Sequence, residues 1–251
     1  MNIDVAFTPF EVQGVSKKVC LVVDVMRATS TLTILMSKKP AEVILSPTVQ
    51  KAVSYASKQT AHPVLCGERA GTAPVGFDHG ISPREYLDLD LSGKSIIFTS
   101  GNCARAVMDV AIAPHVLLGS FLNAEAVVQM AYQLSIRDSL DILVVCSGVE
   151  ERFALDDAYC AGYIISLLAG SIPCSEEFSL GDGGQAALGI YGYYRDPAKV
   201  MRECLSGRYL AESGYSDDVE YLLQKSLYKT VPMLLNKNFD DENDAYFTIL
   251  T

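Results

Sequence analysis

The chain has 251 residues, with 20 Lys and Arg against 30 Asp and Glu, for a formal charge of −10. That balance opposes nucleic acid and anionic membranes as partners, because both need a positive face. Apolar residues make up 49% and charged residues 20%, which excludes the polar, highly charged composition of a disordered chain. The longest apolar stretch, Ala158 to Gly170, carries Ser166 and falls short of the roughly 18–20 residues that cross a bilayer. The start Met1-Asn2-Ile3-Asp4 has no basic region leading into an apolar core, so no secretory signal is expected. Seven cysteines, an odd number without a Cys-x-x-Cys pair, read as reduced and mostly buried thiols of a cytoplasmic protein.

In chain order, the apolar β-branched run Val19 to Val23 predicts a strand, followed by the polar turn Asp24 to Thr31 and a helix candidate from Leu32 to Met36. Glu42 to Leu45 reads as a strand, Val49 to Lys58 as a helix and Val64 to Cys66 as a strand. Between Gly67 and Glu85, Gly or Pro stands at 71, 74, 76, 80 and 83, which predicts a long loop of the kind that is usually functional or disordered. Ser95 to Phe98 is a strand, Thr99-Ser100-Gly101-Asn102 a turn and Ala104 to Ala111 a helix. His115 to Leu118 is another strand, and Ala124 to Leu134 is a helix opened by Asn123, a good cap. Asp141 to Cys146 is the third long apolar strand, followed by Ser147-Gly148 and a helix from near Leu155 to Leu168. From Ser171 the strand signal fades, and Gln185 to Tyr191, Pro197 to Cys204 and Asp217 to Ser226 read as a helical appendage. The acidic segment Phe239 to Asp244 is expected to fray, with Tyr246 to Leu250 able to dock.

Near-continuous apolar strands imply burial on both faces, hence an α/β fold with three α/β/α layers, a mostly parallel or mixed sheet and a C-terminal helical region. The whole chain, 1–251, reads as one unit, and its repeated βα plan would also suit two similar halves, about 1–120 and 121–251.

Ligands of open α/β sheets bind beyond the carboxyl ends of the strands, which directs attention to the turns. The first offers Asp24, Arg27, Thr29, Ser30 and Thr31: a carboxylate for a hard cation, a guanidinium for an oxyanion, and hydroxyls near a helix start. The second, Thr99 to Asn102 with Arg105 a turn later, has the character of a phosphate cradle, and the third helix start carries Asp156 and Asp157. The long loop adds Gly67-Glu68-Arg69 and Gly76-Phe77 with Ser82-Pro83. Each of these motifs alone is explained by capping or turn chemistry. Together, carboxylates, arginines and Gly/Ser/Thr turns at strand ends suit a magnesium site for a small phosphorylated anion. Asp-x-Asp phosphatase chemistry fails because Met26 holds the second acidic position, and nothing matches a nucleotide-binding Gly-rich motif. Cys146 to Arg152 has Cys-x5-Arg spacing, but Glu150 and Glu151 oppose an anion there, so a Cys146 phosphatase is a minor contender.

The residues Asp24-Val25-Met26-Arg27-Ala28-Thr29-Ser30-Thr31, Gly67-Glu68-Arg69, Gly76-Phe77 with Ser82-Pro83, Asn102 to Ala106 and Leu155 to Gly162 resemble, in order and spacing, the 2-phosphosulfolactate phosphatase family. The resemblance runs from about residue 3 to Pro232. It implies a Mg²⁺-dependent enzyme that hydrolyses 2-phospho-3-sulfolactate to sulfolactate and phosphate, a step of coenzyme M biosynthesis, on a three-layer fold in a homodimer. Carried over to this chain, it implies Asp24, Arg27, Glu68 and Arg69 as catalytic residues and Asp24, Glu68 and Asp157 as metal ligands. Thr29, Ser30, Thr31, Ser82, Thr99, Ser100, Gly101, Asn102 and Arg105 would bind substrate, and Asp24 would serve as either metal ligand or nucleophile. The chain departs from the family pattern at Gly101, Cys103 and Ala104, where Thr, Gly and Thr are usual, at Ile81 in place of Asn and at Asp156 in place of Glu. These departures point to an altered substrate or weak activity, with a non-catalytic anion-binding protein as the competing class.

Overall fold

A computed structural model describes residues 1–240 and 244–250, with side chains described up to Leu235. Ten strands, β1 (Asn2–Ala6), β2 (Lys18–Val23), β3 (Glu42–Ser46), β4 (Val64–Gly67), β5 (Ser95–Thr99), β6 (His115–Gly119), β7 (Asp141–Cys146), β8 (Ser179–Leu180), β9 (Met233–Asp240) and β10 (Asp244–Leu250), form one sheet in the order β4-β5-β3-β10-β9-β6-β2-β7-β1-β8. The helices are α1 (Ala28–Ser37), α2 (Val49–Ser57), α3 (Gly101–Asp109), α4 (Ala124–Asp138), α5 (Leu155–Ser171), α6 (Asp182–Tyr193), α7 (Pro197–Glu203), α8 (Leu205–Glu212) and α9 (Ser216–Leu222).

The sheet is two parallel blocks, β4-β5-β3 and β6-β2-β7-β1-β8, joined by the antiparallel hairpin of β9 and β10. The apolar runs are continuous because both faces of the central strands are covered. Along β2, Cys20 and Val22 pack with α1 and α3, while Val19, Leu21 and Val23 pack with α4 and α5. This is the α/β/α layering that the strand composition predicts.

Several boundaries shift for local reasons. The first helix opens at Ala28 rather than Leu32, because the Thr29 and Ser30 hydroxyls donate back to the Asp24 and Val25 carbonyls (both 2.9 Å) and close the turn. Asn123 stands at the N-cap of α4, but its Oδ1 accepts the Ser120 N–H at 2.9 Å and so caps the preceding 3-10 turn instead. β1, β8 and α8 have no counterpart in the sequence reading. The expected fraying of the acidic segment is corrected in part: Phe239 and Asp240 end β9 and Asp244 begins β10, while 241–243 lie outside the described residues. Six of the seven free cysteines are buried and Cys174 is exposed. Among the described residues no helix is long and apolar enough to cross a membrane.

Candidate active site

β2 and β7 are paired in register to their last residues, Val23 against Cys146, and the Ser147 N–H extends the ladder to the Val23 carbonyl (2.8 Å). The turns that follow, one with Asp24 and one leading to α5 with Asp156 and Asp157, therefore leave the sheet side by side. Asp157 ties them together, since its Oδ1 accepts the Val25 N–H at 2.9 Å and its Oδ2 the Gly148 N–H at 3.0 Å. Glu68 arrives from the other parallel block. β4 and β5 end in register, Gly67 against Thr99, and the Glu68 N–H donates to the Thr99 carbonyl at 2.9 Å. Only glycine fits before Glu68: φ is +128° at Gly67, and a Cβ there would lie 2.1 Å from the Thr99 oxygen.

The result is a cluster of buried acids. Asp24, Asp156 and Asp157 are 9%, 3% and 3% exposed. Burial first, then the charges of Glu68 and Asp156, push the Asp24 carboxyl up to about 7, against the opposing pull of the Ala28 N–H and Arg27. Burial raises Asp156 to about 6 despite hydrogen bonds from its own N–H, the Ser206 hydroxyl and the Asp157 N–H. Asp157 is raised well above the carboxylate range by burial and by the charges of Asp156 and Asp24. Of the three, Asp24 is tied most loosely, by the Ala28 N–H at 3.4 Å. Such mutual strain among carboxylates is characteristic of functional sites.

Two hydroxyls at the same strand ends, Thr99 Oγ1 and Ser147 Oγ, are buried without a hydrogen-bond partner among the described residues. Ser100 is the N-cap of α3 but makes no side-chain cap, which leaves the first N–H groups of that helix, at Gly101 and Asn102, open to an anion. Cys103 follows, fully buried, with its thiol pushed up by burial and by the charges of Asp24 and Asp157.

The remaining candidates are more dispersed. Thr29, Ser30 and Thr31 are fully buried, and their hydroxyls donate to the carbonyls of Asp24, Val25 and Ile81. Ile81, where the family pattern has Asn, is buried and contributes through that carbonyl. Arg69 is exposed in the loop beyond Glu68, and Arg105 forms a half-exposed ion pair with Glu151 at 2.6 Å. Arg27 follows a cis Met26–Arg27 peptide and is only 3% exposed. Its guanidinium donates to Asp218 Oδ2 at 2.9 Å and to the Gly71 carbonyl at 2.8 Å. Ser82 donates to the other Asp218 oxygen at 2.7 Å. Asp218 has no signature in sequence, because it lies 191 residues from the arginine it holds and reads as a first-turn acid of a short helix. Cys146 is fully buried at the end of β7, and burial and the Asp157 charge push its thiol well above the ordinary value. A thiolate nucleophile is disfavoured there.

The chain matches the profile of the 2-phosphosulpholactate phosphatase family over residues 7–237. A protein of Deinococcus radiodurans described as a probable 2-phosphosulfolactate phosphatase is 36% identical over 219 residues, 86% of this chain and 88% of the relative. Proteins of the same description from Carboxydothermus hydrogenoformans and Thermotoga petrophila are 33% and 32% identical, covering 92% and 94% of this chain and 92% and 97% of their own lengths.

Proposed function

The chain belongs to the 2-phosphosulpholactate phosphatase family, a family of phosphoric monoester hydrolases, and on that premise we propose that it is a Mg²⁺-dependent phosphatase of 2-phospho-3-sulfolactate or a closely related 2-hydroxy-acid phosphate. The observation that carries this reading is the burial of Asp24, Asp156 and Asp157 together, with Glu68 in electrostatic reach. Three carboxylates buried together, with the Asp156 charge raising both Asp24 and Asp157, are a set of hard oxygen donors suited to a divalent cation. Among the described residues no three His, Cys, Asp or Glu side chains converge into a ready-made metal cage. Mg²⁺ does not require one, since it is held by one or two carboxylates together with water and substrate phosphate.

Asp24 and Glu68 are the residues that would hold the ion, with Asp157 bracing both turns through its hydrogen bonds to Val25 and Gly148. When bound, the ion supplies charge stabilisation to the phosphoryl oxygens. Asp156, raised to about 6, is matched to accept a proton from the attacking water near neutral pH. That water would form the new P–O bond as the ester P–O bond breaks, the released oxygen taking a proton from solvent so that the hydroxy acid leaves. The open N-terminus of α3 and the exposed Arg69 offer positive potential to the anionic groups of the substrate. In a chain of formal charge −10, that local field has to overcome the overall repulsion of the substrate.

The test is phosphate release from 2-phosphosulfolactate and 2-phospholactate, with Mg²⁺ and with EDTA, by wild type and Asp24→Asn. Metal-dependent release that disappears in the variant is expected. Release that survives EDTA would refute the role of the cation, and no release from either compound would refute the substrate class.

A further inference from the structure

The helices α8 and α9, which in sequence read as part of an appendage, reach back to the loop that carries Glu68. Tyr209 of α8 donates its hydroxyl to the Ala70 carbonyl at 2.6 Å. Its ring occupies the space beside Gly71, where φ is +76° and a Cβ would lie 2.6 Å from a ring carbon. Asp218 of α9 holds Arg27, whose other Nη donates to the Gly71 carbonyl. The ring of Tyr215 lies 4.5 Å from the same guanidinium, in cation–π contact. The two peptides flanking Gly71 are thereby each gripped, Ala70–Gly71 by Tyr209 and Gly71–Thr72 by Arg27, and the Gly71 N–H of the first donates to Glu68 Oε2 at 2.8 Å. From α8, the Ser206 hydroxyl also donates to Asp156.

We infer that α8 and α9 are a positioning clamp for the active site, in which Asp218, through Arg27, and Tyr209 are positioning residues that fix the two peptides either side of Gly71 and so hold Glu68 against the acid cluster. The Arg27–Asp218 pair is 3% exposed on both sides. An ion pair buried to that degree pays heavily in desolvation, and packed apolar residues would stabilise a core as well or better. Its geometry instead serves the loop: each end of the pair is fixed by a second partner, Ser82 on the carboxylate and Gly71 on the guanidinium. The inference rests on the proposed phosphatase reading only for its kinetic consequence.

The experiment compares wild type with Asp218→Asn, Asp218→Glu and Tyr209→Phe by amide hydrogen exchange and by phosphate release from 2-phosphosulfolactate with Mg²⁺. In Asp218→Asn the amides of residues 68–72 are expected to exchange at least about tenfold faster while those of β2 and β7 keep their protection. The same variant should lose about 10- to 100-fold in kcat, as a displaced catalytic group does, with KM changed by less than about threefold. Tyr209→Phe, which removes one hydrogen bond from a side chain 44% exposed, should move both readings in the same direction by less, and it stands in if Asp218→Asn does not fold. Asp218→Glu, which keeps the charge, should recover part of the loss. Unchanged loop exchange in the folded variants would overturn the clamp, and faster exchange with unchanged kcat would overturn the positioning role. If wild type releases no phosphate the functional reading fails on its own, and the exchange result still decides the clamp.

Discussion

Replacing Asp24 by Asn should make the protein more stable at neutral and alkaline pH while removing its activity. The folded state holds the Asp24 carboxyl at about 7 against an ordinary value of 3.8. Below pH 4 the group is protonated in both folded and unfolded chains and costs nothing. Between pH 4 and 7 the unfolded chain gives up the proton while the folded one retains it, so stability falls as pH rises, and above pH 7 the full penalty is present. A rise of that size corresponds to at most about 4 kcal/mol. Asparagine is nearly isosteric, keeps an oxygen for the Ala28 N–H and carries no penalty. Removing one negative charge also relieves Asp157, whose carboxyl is raised in part by Asp24. A gain of about 3 kcal/mol would raise the Tm of a domain this size by roughly 6–12 °C. The assay is thermal unfolding of both proteins in EDTA at intervals from pH 4.5 to 8.5. The Tm difference should open with pH and level off near pH 7; a variant less stable than wild type at pH 8, or a gap independent of pH, would refute the electrostatic account of the cluster.

Asp4 accepts the Val5 N–H at 2.9 Å and the Gly184 N–H at 3.0 Å in the first turn of α6, so Asp4→Ala should cost about 1–2 kcal/mol, read as a lower midpoint in urea at unchanged m-value. Cys146→Ala should leave phosphate release within about threefold of wild type, since the fully buried thiol stands well above its ordinary pKa; abolished turnover in a folded variant would restore the cysteine mechanism.

The strands that position the site are those whose residues are apolar without interruption, and β2, β5 and β7 were legible for that reason alone. Asp24, Glu68, Asp156 and Asp157 were legible as residues at strand ends, because the carboxyl edge of an open α/β sheet is where ligands bind and because carboxylates stood at several such ends at once. Their convergence was not, because Gly67 and the β4–β5 register set it from a separate block of the sheet. The hydroxyls of Thr29, Ser30 and Thr31 look like ligand donors in sequence, and in the fold they donate to backbone carbonyls of their own turn and of the long loop at Ile81. Asp218 and Tyr209 were invisible, since their partners lie 191 and 139 residues away and nothing in local spacing marks such a pair. β9 was not legible and of β10 only the docking of Tyr246 to Leu250 was foreseen, because the acidic Phe239 to Asp244 between them reads as a fraying segment although the hairpin closes the gap between two parallel blocks.

That closure has a consequence for the protein during its synthesis. β3 finds one of its two neighbours only in β10, with Val43 opposite Ile249, so the nascent chain carries an apolar strand edge open until β10 has been made. Until the hairpin slots in, that edge and the facing edge of β6 are free to pair with each other out of register or with a second ribosome's product. The parallel blocks can each assemble early, but the hairpin, synthesised after both of them, is what makes the sheet safe from self-association.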